Sequence, residues 1–194
     1  MVTPVDPVDF SPTTALIADG HHRVAAALRS GGDPYIMTMI VSTDGVDLEA
    51  GAFHRVFEHS VPLPRRVAGC EVVAEATRDS IHAGRIAIVT PQGSVGVAVT
   101  DPDLADYRRG LPAGLVADYV LPALGLTDAE PGYVDTIEEA LETVDRGGIA
   151  VILPGSRIVS VIDAVVDGWS LPAKSTRFRP KPIRGLLMRR VPGL

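Results

Sequence analysis

Residues 84–100 read GRIAIVTPQGSVGVAVT, two runs rich in β-formers on either side of Pro91, Gln92, Gly93 and Ser94. Pro and Gly at that spacing make a turn, so the stretch predicts an antiparallel hairpin. The segments that follow carry a different period. In TIEEALETVDRGG, Ile137, Ala140, Leu141 and Val144 recur at helical spacing, with Glu138, Glu139, Glu142 and Asp145 on the wet side and Gly147 and Gly148 as the stop. IAVILP at 149–154 then reads as a short buried strand. A second helical stripe, Ile158, Val161, Ile162, Val165 and Val166, runs to Gly168. A hairpin followed by helical and strand patterns predicts an α+β fold, a mixed β-sheet packed with helices.

Between hairpin and helix, LVADYVLPALGL at 115–126 has helical composition, although Pro122 lacks the N–H that an internal turn needs and should kink or shorten it. On the N-terminal side, Ala15–Ala18 reads as a short buried strand. Asp19 stands as an N-cap before GHHRVAAALRSGG, and Gly31 and Gly32 stop that helix. YIMTMIVS at 35–42 has strand composition, TDG at 43–45 supplies a turn, and AFHRVFE at 52–58 alternates as a strand. The tail from Lys174 returns to strand character. Pro4, Pro7 and Pro12 make residues 1–14 an extended lead-in. No repeat or long linker interrupts the remainder, so residues 15–194 read as a single α+β domain.

Composition narrows the function. The 194 residues are 46% hydrophobic but only 5% aromatic, so aliphatic side chains must fill a layered core. A formal net charge of −6 gives no global attraction to nucleic acid or to an anionic membrane. The first residues have no basic start followed by an apolar core, and no stretch approaches the ~20 apolar residues of a membrane span. Cys70 is the single cysteine, which excludes an intrachain disulfide and a multi-thiolate zinc site and fits a reducing cytoplasm.

Two polar clusters stand out. In LIADGHHRVAAAL a strand ends, turns sharply and enters a helix near Gly20, His21 and His22. Unpaired amides and the positive end of the helix dipole favour an anion there; Gly20 permits close approach and Arg23 supplies a charged fork. Asp19 has three readings: a cap for the helix, a ligand for a nucleotide-associated Mg²⁺, or an acceptor for a substrate hydroxyl proton. The second cluster is LPAKSTRFRPK, with Lys174, Ser175, Thr176, Arg177, Arg179 and Lys181 in an otherwise acidic chain. As an extended segment it places Lys174, Thr176 and Phe178 on one face and Ser175, Arg177 and Arg179 on the other. Lys174 and Thr176 suit a phosphate oxygen, whereas the arginines read as a charged, solvated edge.

These residues carry a resemblance. DGHHR, followed by PYIMTMIV, FHR at 53–55, LVADYVLPALGL and GWSLPAKSTRFRPK with GLLMRRV, resembles in order the bacterial family called domain of unknown function 1015. Arg177 and Arg179 stand where that family usually has aromatic residues, and its members carry a further region before the DGHHR strand. The DGHHR turn is also similar to the strand-turn-helix motif of the ParB and sulfiredoxin-like superfamily, which includes nucleotide-binding partition proteins, a sulfinic acid reductase and a free serine kinase. That resemblance implies phosphate contacts at Gly20, His21, His22 and Arg23, and a metal or proton-handling role for Asp19. It does not carry the sulfinic acid chemistry, since His21 stands where that reaction needs a cysteine.

The combined expectation is a cytoplasmic domain that binds a nucleotide or other phosphorylated small molecule at Asp19–Arg23, assisted by Lys174, Ser175 and Thr176. His54, Arg55 and Lys181 are additional candidates. Its enzymatic form is phosphotransfer with Asp19 and His22 as catalytic residues and Mg²⁺ accompanying the nucleotide. Alternatives are a non-catalytic nucleotide-sensing or interaction module, a metal-dependent hydrolase using His21, His22 and His54, and a ParB-like DNA-binding protein. Adjacent helical histidines point about 100° apart, which weighs against the hydrolase. Exposed strand edges would allow a homodimer.

Overall fold

A computed structural model describes residues 16–29, 36–40, 49–76, 84–105, 111–179 and 181. They belong to two compact units, one of residues 1–40 with 183–194 and one of residues 41–182. The first unit contains helix α1 (His21–Arg29), as the sequence predicts, but α1 has no buried residue. Residues 16–18 and 36–40 form no strand; Met37, Met39 and Ile40 are more than half exposed. β composition needs a pairing partner to become a strand, and among the described residues these segments have none. The lead-in at 1–14, Gly31 and Gly32, TDG at 43–45 and the tail beyond Lys181 lie outside the described residues.

The second unit is α+β. Strands β2 (His54–Phe57), β3 (Cys70–Ala74), β4 (Ile86–Thr90), β5 (Gly93–Val99), β6 (Gly132–Val134) and β7 (Ile149–Ile152) form a sheet in the order β3-β5-β4-β7-β2-β6. Each of these pairings is antiparallel. The predicted hairpin is β4–β5, closed at Thr90↔Gly93, where the Thr90 hydroxyl donates to the Gly93 carbonyl and accepts from the Gln92 N–H. A separate ribbon joins β1 (Glu49–Gly51) to β8 (Arg177–Arg179), also antiparallel.

Central strands β4 and β7 are apolar at almost every position because both faces of the sheet are covered. Ile86, Ile88, Ile149 and Val151 point into one cluster with Leu115, Val116 and Val120, while Ala87, Ala150 and Ile152 point into the other with Ala140 and Val144. The first layer comes from α2 (Pro102–Ala105) and α3 (Pro112–Leu115), a π-helical segment Val116–Val120, and α4 (Leu121–Ala123). The π turn ends two residues before Pro122, so a change of helical pitch accommodates the missing N–H. The second layer is α5 (Ile137–Asp145), opened by a complete capping box between Thr136 and Glu139. It ends at Gly147, whose φ of 93° suits glycine. At Gly148 a Cβ would collide with the carbonyl oxygen of Phe57, so glycine lets the chain pass close to β2 on its way into β7.

Helix α6 (Ile158–Val166) follows β7 and buries Val161 and Ala164. Val165 and Val166, read as part of its apolar stripe, are 41% and 70% exposed. Among the described residues no helix is long and apolar enough to cross a membrane.

Candidate functional site

The DGHHR turn is built by Gly20. Its φ is 88°, and its carbonyl accepts the first helical bond, from the Val24 N–H at 3.0 Å. Gly20, rather than Asp19, therefore occupies the cap position. Asp19 sits one residue earlier, where its carboxylate accepts from the Gly20 N–H at 2.7 Å and lies 4.0 Å from the Arg23 guanidinium. A Cβ on Gly20 would stand 2.9 Å from Arg23 Nε and Nη2, so glycine also makes room for the arginine to fold back over the turn. Asp19, His21, His22 and Arg23 are all exposed. The turn thus displays a carboxylate, a guanidinium and two imidazoles at the positive end of a nine-residue helix.

In the second unit, His54 and Arg55 are buried, 7% and 4% exposed. His54 lies between β6 and β7, and its Nδ1 accepts from the Leu153 N–H at 3.3 Å. Burial, aided by the adjacent Arg55 charge, pushes its pKa below the ordinary histidine value, so the neutral imidazole is favoured. Arg55 donates to the carbonyls of Phe53 and Ala173 and lies 5.3 Å from the centre of the Tyr133 ring. Backbone dipoles and an aromatic face stabilise that buried cation, and among the described residues it has no carboxylate partner.

Arg55 thereby ties the FHR strand to the KST segment. Ala173, its acceptor, precedes Lys174, which has φ 57° and holds its ammonium 5.1 Å from the centre of the Phe53 ring. A non-glycine residue in the left-handed region is strained and persists where its surroundings fix it. Ser175 is buried and its hydroxyl donates to the Pro172 carbonyl, closing the turn that presents Lys174. Thr176 is half-buried, and Lys181 is exposed. Strand alternation is confined to Arg177–Arg179, because the left-handed turn at Lys174 breaks the extended run.

Arg177 departs from the expected solvated edge. Its side chain is 17% exposed and pairs with Asp135, Nη2 to Oδ2 at 2.7 Å, with a further bond to the Asp135 carbonyl. Asp135 is held in turn by Glu139, whose carboxylate accepts from the Asp135 and Thr136 N–H groups and whose pKa those bonds lower. The T-x-x-E spacing of Thr136 and Glu139 is a readable signal for that helix start. Nothing in the sequence links Asp135 to Arg177.

The structure therefore places the candidates in two groups. Asp19, Gly20, His21, His22 and Arg23 share one turn of the first unit. His54, Arg55, Lys174, Ser175 and Thr176 share one region of the second. Cys70 is partly buried, and desolvation together with Asp101 raises its thiol pKa, which disfavours the reactive thiolate. No group of three or more His, Cys, Asp or Glu suited to a metal forms among the described residues. The exposed Asp19 carboxylate still fits a Mg²⁺ site of the kind built from one carboxylate and substrate phosphates.

No protein-family model matches the chain, and no curated protein matches it. Among solved structures it is similar to a free serine kinase point mutant in complex with ADP, at TM-score 0.50 and 20% identity, over 82% of this chain and 65% of that one. A second mutant of a free serine kinase, in complex with AMP, aligns at TM-score 0.51 and 19% identity over the same shares. At these identities the likeness is one of fold, and the chain spans 65% of the length of the kinases it resembles.

Proposed function

We propose that the chain binds a nucleotide or another phosphorylated small molecule at the Asp19–Arg23 turn, and that its activity is phosphoryl transfer to a hydroxyl. The carrying observation is the turn itself: a positive-φ glycine opens a helix whose first residues display Arg23 and two histidines beside an exposed carboxylate. The kinase-like fold, seen in complexes with ADP and AMP, supports the same ligand class.

In this reading the first-turn amides and Arg23 hold the phosphate oxygens. The acceptor oxygen forms the new bond to phosphorus as the bond to the leaving phosphate breaks, and the acceptor's proton passes to Asp19 or His22. Mg²⁺ held by Asp19 would supply charge neutralisation when bound.

Calorimetric titration with ATP, ADP and AMP, with and without Mg²⁺, tests this. Saturable binding that Arg23→Ala weakens about tenfold or more is expected. Asp19→Asn is expected to keep nucleotide binding and lose turnover in an acceptor screen. Absence of binding to a folded chain overturns the proposal. Binding without turnover in any acceptor leaves a nucleotide-sensing module.

A further inference from the structure

The Arg177–Asp135 pair forms part of a cavity of about 340 Å³ whose walls include His54, Asp135, Leu153, Gly155, Arg177 and Arg179, all in the second unit. None of its charged residues belongs to the proposed phosphate turn. Three observations give the cavity a chemistry. First, Asp135 neutralises Arg177, whereas Arg179 is exposed and has no ion pair among the described side chains, so the lining residues carry two guanidiniums against one carboxylate. Second, His54 accepts at Nδ1 from the Leu153 N–H, so the neutral ring carries its proton on Nε2; that donor has no protein partner among the described residues. Third, Arg177 Nε is buried and unpartnered, an orphaned donor whose cost falls when an acceptor reaches it.

We infer that this cavity is a second ligand site that takes the oxyanion head group, carboxylate or phosphate, of a small molecule, with Arg179 and the His54 Nε2–H as its principal donors. The lowered pKa of His54 agrees with this role, because the buried imidazole then donates without adding a charge of its own. Arg179 stands at the edge of the β1–β8 ribbon, opposite Glu49 in register, where its side chain can close over a bound group. Gly51 and Gly155 also contribute to the wall, and a Cβ on Gly155 would stand 3.3 Å from the Ala50 carbonyl oxygen, so glycine lets the chain pass close to β1 there.

Histidine side-chain ¹H–¹³C spectra of the full chain, at fixed pH and ionic strength, provide the test, with inorganic phosphate and succinate as separate probes. His54 reports the cavity, while His21 and His22 report the DGHHR turn, so the two sites are read independently. The expected result is a saturable shift of His54 with at least one probe, weakened about tenfold or more in Arg179→Ala. Arg179→Lys, which keeps the charge and loses the fork, should fall between the two. The probe that binds more tightly identifies the head group. The inference is overturned if neither probe shifts His54, or if Arg179→Ala and Arg179→Lys both bind as wild type. Shifts confined to His21 and His22 overturn it too, while leaving the nucleotide reading intact.

Discussion

His22 and Arg23 stand side by side on the first turn of α1, and His54 and Arg55 stand side by side on β2. The first pair is exposed on a helix that buries no side chain, whereas the second is 7% and 4% exposed within a sheet. Arg23 faces the Asp19 carboxylate at 4.0 Å in water, where such a pair contributes little. Arg55 spends its donors on two backbone carbonyls and its flat face on Tyr133. The same dipeptide thus serves display in one place and construction in the other. Burial, not residue type, decides which.

Substitutions can break that contrast. The largest effect belongs to Arg55→Ala, which strips donors from the carbonyls of Phe53 and Ala173 and leaves a void beside Tyr133; a loss on the order of 3 kcal/mol is expected in urea unfolding. An unchanged midpoint would show that Arg55 is not structural. Next comes the paired comparison of His54→Ala with His22→Ala. The former orphans the Leu153 N–H and should cost about 2 kcal/mol, the latter less than about 0.5. Equal costs would erase the distinction between the two motifs.

Thr136→Ala removes half of the capping box that positions Asp135 and should cost about 1 kcal/mol. Because Asp135 carries Arg177, this variant should also loosen the cavity wall, visible as faster amide exchange at residues 135–139. The most finely graded test is one of pH. The folded pKa of His54 lies below its unfolded value, near 6.5, so within that window the unfolded chain binds the extra proton. Stability should therefore fall as pH drops through the window and level off below the folded value. His54→Gln should flatten that slope; an unaltered slope would assign it to other groups.

Much of the second unit was readable because its signals are local. The β4–β5 hairpin, α5 and β7 each combine a clear period with a turn or a glycine stop inside a dozen or so residues. Strands β1, β3 and β6 escaped because they acquire their identity from partners elsewhere in the chain: Gly132–Val134 is a strand only because β2 lies beside it. The converse error is the 35–42 run, whose composition suggests a strand that residues 36–40 do not form. At the site, the DGHHR turn is legible for the same local reason, although the cap falls on Gly20 and not on Asp19. The Arg177–Asp135 pair is not legible, since its members lie 42 residues apart and only folding brings them together.

The β1–β8 ribbon joins the two ends of a unit whose remaining sheet lies between them in the chain. Closing so long a loop carries an entropic cost that the hairpins inside it do not bear, which places the ribbon late in folding. The cavity walled by Arg177 and Arg179 is complete only once that closure occurs, so an occupant would act as a clasp on it. Its clearest signature would be slower unfolding rather than faster folding.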